Sequence, residues 1–198
     1  AASGGYALEG AILSSGAAIQ WLRDGLRILN DPTESDALAR QVESTGGVYF
    51  VPALTGLGSP HWNADARGLL TGITRGTTAA HLVRAALEGI AFQVADVLDA
   101  FPGGVSALRA DGGASANGFL MQFQADLLGC PVEVAAERET TALGAAALAS
   151  VAIGIWPNVE HIRARIRRGA TYEPSADADW VAARRAEWQV AVRRAVLT

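Results

Sequence analysis

Residues 108–129, LRADGGASANGFLMQFQADLLG, constrain the fold more than any other stretch of this chain. An apolar run is broken at Asp111, two glycines follow, and the chain resumes as an apolar helix. A strand ending at Asp111 points that residue toward the carboxyl edge of a sheet, where open α/β folds bind their ligands. Gly112 and Gly113 carry no side chains, so a planar ring or a phosphate can approach the main chain closely. The helix that follows is expected to offer free N–H groups and the positive end of its dipole. Asn117, read as one turn into that helix, carries both donors and an acceptor, which suits the edge of a purine. The competing reading is plainer: the two glycines make a turn, Ser115 or Asn117 caps the helix, and Asp111 sits at the surface. These residues alone do not decide between the two.

Strands and helices alternate on either side of this turn. Residues 4–10 (GGYALEG) read as a short strand, and residues 11–29 as a helix with Ile12, Ile19, Leu22, Leu26 and Leu29 at helical spacing. Pro32 and a capping-type Ser/Thr/Asp cluster precede a short helix over 37–42. A buried strand over 46–54 leads to a Gly- and Pro-rich loop over 55–68, longer than a connector needs, and then to a strand over 69–74. The longest helix covers 77–101. Strand 106–111, helix 114–129, strand 131–135, helix 140–156 and a terminal amphipathic helix anchored by Trp180 and Trp188 complete the order. Such alternation predicts one α/β domain over residues 1–198, with helices packed on a central mixed sheet.

A second glycine site adds to the first. In SSGAAIQW, Gly16 reads as an interior helix residue beside Ala17 and Ala18, where glycine costs about 1 kcal/mol relative to alanine. Either the helix packs tightly there, or a ring or phosphate lies flat against it with Gln20 supplying an amide. The two small-residue faces then form two walls of one cleft. A third such stretch, ETTALGAAALAS, reads as a packing surface, suited to a domain contact or hinge.

Composition excludes several chemistries. The sixteen basic residues are all arginine, so a Walker-type phosphate loop and Schiff-base chemistry are absent from this chain. The motif G-x-G-x-x-G is also missing. A net charge of −4 argues against a nucleic-acid footprint. Three scattered histidines and one cysteine make no metal-ligand spacing. Cys130 reads as a small buried residue at a strand start, His81 as a capping residue, and Glu88 as the holder of an internal hydrogen bond. His61 and Trp62 in the long loop face either a cleft or a subunit contact, and His161 lies on a solvated arginine-rich face. The single cysteine can form no intrachain disulfide, which suits a reducing, cytoplasmic setting, and no membrane span or signal pattern is read. The opening AASGG is small and polar and reads either as an added segment or as the cut end of a longer chain.

Residues 68–88, GLLTGITRGTTAAHLVRAALE, resemble the second signature of the FGGY carbohydrate kinases: spaced glycines, an isoleucine, a gap, His-Leu, then Ala-Ala-Leu-Glu. GAAIQWLRD, VPALTGLGSPHWNADARG, DGGASANGFLMQFQADLLGCPVEV and TALGAA are similar to the glycerol-kinase branch of that family. The resemblance implies a ribonuclease-H-like, actin-like ATPase fold, and within it the second, nucleotide-binding domain. It implies ATP and Mg²⁺, with Gly113 and Asn117 at the adenine end and Gly16 and Gln20 lining the cleft. Gly112 belongs to the same turn, and Asp111 either acts on a metal-bound water or orients that turn. The family's catalytic aspartate, polyol-binding residues and phosphate loops lie upstream of the matched region. No catalytic residue is therefore expected in this chain, glycerol is expected to be held by the N-terminal domain, and the chain alone is expected not to be a competent kinase. A homo-oligomeric parent enzyme is implied as well. Another polyol or sugar as acceptor, and a non-catalytic actin-like interaction module, remain open.

Overall fold

The computed structural model describes residues 7–137, 139–164 and 166–197. Its helices are α1 (Gly16–Asp24), α2 (Glu34–Ala39), α3 (Ala79–Asp99), α4 (Gly118–Leu128), α5 (Thr140–Ala152), α6 (Val159–Arg163) and α7 (Ala178–Val196). Its strands are β1 (Tyr49–Val51), β2 (Leu69–Thr71), β3 (Leu108–Ala110), β4 (Val132–Ala135) and β5 (Arg168–Tyr172). Among the described residues the strands form a β1–β2 antiparallel pair and a mixed sheet in the order β3-β4-β5. β3 and β4 are parallel, joined by α4 as the crossover, and β4 and β5 are antiparallel. The β3–α4–β4 unit brings residues 111–117 to the carboxyl edge of the sheet.

Helix α3 organises the core. It is apolar nearly all round and buries residues on every turn against α4, α2, β1 and α1. His81 caps it, its Nδ1 accepting the Thr78 N–H at 3.2 Å. A Cβ on Gly89 would stand 2.2 Å from the Phe50 carbonyl oxygen, so only glycine lets α3 lie directly on β1. Phe92 stacks on Trp188 of α7 with ring centroids 5.0 Å apart and meets Phe123 of α4 edge-on at 5.6 Å. Trp188 is the true anchor of α7, whereas Trp180 is 41% exposed. Cys130 is buried, and burial pushes its thiol up, away from reactivity.

Several expected boundaries move. The part of the strand 4–10 that lies before residue 7 falls outside the described residues, and residues 7–10 are irregular. Helix α1 begins at Gly16, not at residue 11, because the chain before it pairs with the long loop. Ser59 N donates to the Ala11 carbonyl at 2.8 Å, and Ala11 N donates to Ser59 Oγ at 3.0 Å. Gly16 is therefore the first residue of a helix rather than an interior one. The short helix lies at Glu34–Ala39 rather than 37–42, and Asn117 caps α4 instead of sitting inside it. β5 has no counterpart among the expected elements. Helix α5 has no buried residue among those described, and its Leu143 and Leu148 face solvent.

One buried acid ties the loop to the core. Asp96 accepts from Trp188 Nε1 at 2.8 Å and Gln189 Nε2 at 2.8 Å, and His61 Nε2 lies 3.3 Å away. Burial pushes the Asp96 carboxyl up, with the Trp188 and His61 hydrogen bonds opposing the rise. The native state then holds a proton longer than the unfolded chain does. Stability attributable to Asp96 therefore falls as pH rises from the ordinary carboxylate value of about 4 through the raised one. Urea unfolding between about pH 4 and pH 7 should show this decline, and Asp96→Asn should flatten it; an unchanged slope in the variant contradicts the assignment.

Candidate functional site

The two glycine-bearing segments meet. Gly16, Ile19 and Gln20 of α1 face Gly113, Ala114, Ala116, Asn117 and Leu120 across a cleft of about 340 Å³, a size typical of small-molecule sites. Leu87 and Ile90 of α3 make its apolar floor, and Pro32, Thr33, Ser35 and Asp36 close one end. Ile19, Leu87, Ile90 and Leu120 are all buried in the core behind it, so the floor is held by packing. A flat apolar ring fits such a slot better than a charged sugar does.

Glycine at two of the wall positions has no local cause. A Cβ built on Gly16 or on Gly113 would meet nothing within 4 Å. The protein's own packing thus does not require glycine at either place, and the missing side chains leave free space in the cleft. Gly112 differs, because its φ of 79° needs glycine for the turn itself.

The two helix starts at the cleft are electrically unlike. At α4, Asn117 Oδ1 accepts from Leu120 N at 2.8 Å, and Asp36 Oδ2 accepts from Phe119 N at 2.6 Å. That positive end is already compensated, contrary to the free N–H groups expected from the sequence. Arg40, 2.6 Å from Asp36, holds the carboxyl below the usual range. At α1 no side chain caps the start and no acidic residue lies in the first turn. Ala18 N donates to the Ser15 carbonyl at 3.0 Å, and the dipole of a helix start without a side-chain cap suits an anion at Gly16.

The remaining expected residues separate. Of the six, Gly16, Gln20, Gly113 and Asn117 line the cleft, while Gly112 and Asp111 do not. Asp111 instead accepts a hydrogen bond from Thr140 Oγ1, which ties the end of β3 to the start of α5. His61 is engaged with Asp96 and lies outside the cleft. Ser35 and Asp36 are absent from the expected set: their cluster reads as a local helix cap, and nothing nearby announces partners more than eighty residues away. A second groove, along α5 and α6 and lined by Leu143, Ile162 and Ile166, holds none of the expected residues. No group of three or more metal-ligating side chains occurs among the described residues. No described helix is long and apolar enough to cross a membrane.

Comparison with known proteins gives the family of the chain. The model of the C-terminal domain of the FGGY family of carbohydrate kinases matches residues 1–153. The chain is 54% identical over 194 residues to a glycerol kinase of Burkholderia ambifaria, covering 96% of this chain and 39% of that protein. It is 50% identical over 195 residues to glycerol kinase 2 of Thermotoga maritima, with the same coverage. The structure of Plasmodium falciparum glycerol kinase with ADP superposes with a TM-score of 0.85 at 35% identity, over 94% of this chain and 38% of that one. The chain thus spans about two-fifths of the length of these relatives.

Proposed function

Since the chain belongs to the FGGY family of carbohydrate kinases, we propose that its cleft is the nucleotide site of a glycerol kinase. In that reading the full-length protein transfers the γ-phosphate of ATP to glycerol, giving ADP and glycerol 3-phosphate. The observation that carries it is the pair of glycines, Gly16 and Gly113, that open on one cleft and have no packing reason to be glycine.

The chain's own part is to bind and orient. The purine lies on the apolar floor of Ile19, Leu87, Ile90 and Leu120, beside Gly113 and Asn117. The phosphates run toward the uncapped start of α1, where Gly16 admits them and Gln20 adds an amide. Gly112 contributes through its turn, and Asp111 by fixing the end of β3 to α5. Phosphoryl transfer depends mainly on such positioning and on charge stabilisation.

Mg²⁺, when bound, neutralises phosphate charge. Asp36, the one carboxylate lining this cleft among the described residues, is committed to Arg40 and to α4, so it does not fit as a ligand of the ion. No step of nucleotide binding by this chain therefore runs through the ion. Glycerol held by another domain, homo-oligomeric assembly and a cytoplasmic location belong to the same proposal.

Calorimetric titration of this chain tests it. ADP should bind at one site per chain and more tightly than CDP or UDP, since the apolar floor favours the larger ring. No heat of binding with ADP, or equal affinity for ribose 5-phosphate, would count against the reading.

A further inference from the structure

We propose that Ser35 is a positioning residue for the nucleotide: it fixes the Asn117 amide so that a donor, not an acceptor, is presented to the base. The inference rests on the reading of the cleft as a purine site. Ser35 is buried, and its Oγ–H donates to the Pro32 carbonyl at 2.6 Å. Its one proton is thereby spent, so toward Asn117 the hydroxyl can only accept, and Asn117 Nδ2 donates to it at 3.0 Å. At the other end of the amide, Oδ1 accepts from Leu120 N at 2.8 Å. The two bonds select the same orientation. A flipped amide would set NH₂ against the Leu120 N–H, and oxygen against a hydroxyl with no proton left to give.

An amide nitrogen has two hydrogens, and Ser35 takes one of them. The second remains on the cleft wall as a donor, matched to a ring-nitrogen acceptor of a base. Asp36 supports the arrangement from the same helix, since its bond to Phe119 N docks α2 against the start of α4. The selectivity of this wall is therefore set by α2, which stands more than eighty residues earlier in the chain than the amide it orients.

The experiment is ADP titration of this chain and its variants, with thermal unfolding of each. Ser35→Ala should weaken ADP by about three- to tenfold, the net worth of one hydrogen bond. Ser35→Thr, which keeps the hydroxyl, should restore it. The double variant with Asn117→Ala should bind no worse than Asn117→Ala alone, because Ser35 acts only through that amide. Asn117→Asp retains the acceptor for Leu120 N and removes the donor, so it should lose ADP as fully as Asn117→Ala while keeping the helix cap. This last variant decides the matter even if Ser35→Ala fails to fold.

Full ADP affinity in Ser35→Ala or in Asn117→Asp, or effects that multiply in the double variant, overturns the proposal and leaves the purine site standing. An unmodified chain that binds no purine nucleotide overturns both.

Discussion

Gly113→Val is expected to weaken ADP binding to this chain by roughly ten- to hundredfold, the cost of forcing extra methyl groups into occupied space. The same variant should unfold within about 2 °C of the unmodified protein, because nothing in the fold contests the added Cβ. Two facts combine here: a Cβ at Gly113 meets no protein atom within 4 Å, and the residue lines the cleft. Any penalty must then come from what enters from outside. Gly112 supplies the contrast. Its φ of 79° makes Gly112→Val strained whatever occupies the cleft, so that variant should lose stability along with affinity. Parallel melting curves and ADP titrations separate the two. Unchanged ADP affinity in Gly113→Val would mean that glycine at this position does not serve the ligand.

Glu88→Ala is expected to cost about 3–5 kcal/mol of stability, the range for breaking a buried ion pair from one side. Glu88 is 3% exposed and bonds Arg84, one helical turn earlier on α3, at 2.9 Å, and Arg184 of α7. Arg84 also donates to the Val42 carbonyl beyond α2, and Arg184 lies over the Tyr49 ring, 4.5 Å from its centroid. Removing the carboxylate leaves two guanidinium groups half-enclosed and deprived of their shared counter-charge. For a chain of this size the loss corresponds to a midpoint lowered by about 6–20 °C. Glu88→Gln keeps the shape and one acceptor oxygen for the two guanidinium donors, its NH₂ being unable to accept, so its loss should be smaller than that of Glu88→Ala. A drop of less than about 1 kcal/mol in Glu88→Ala, the worth of an exposed pair, would show that the network holds nothing together.

The long helix is legible in the sequence because α3 is apolar over six turns and its ends carry clear signals, Thr78 with His81 at one and the glycines after Phe101 at the other. The glycine turn at 112–113 is legible for the same local reason. Helix α1 reads too long because Ile12 continues its periodicity, while the carbonyl and N–H of Ala11 are in fact taken by Ser59. No local pattern reports a competitor nearly fifty residues away. The cleft's walls are readable as glycines without a side-chain purpose, yet the lock between Ser35 and Asn117 is not. A serine beside a helix start looks like a cap, and only the fold brings the amide to it. The start of α4 misleads in the same way, since Asp36 reaches it from another helix.

The most direct test of the central claim is an amide chemical-shift map of the isotopically labelled chain during ADP titration. Saturable shifts should concentrate at the main-chain amides of Gly16, Ala17, Gly113, Ala114 and Asn117 and at the side-chain amide of Gln20, with none along α5. Shifts centred instead on the groove of Leu143, Ile162 and Ile166, or no saturable shift anywhere, would contradict it.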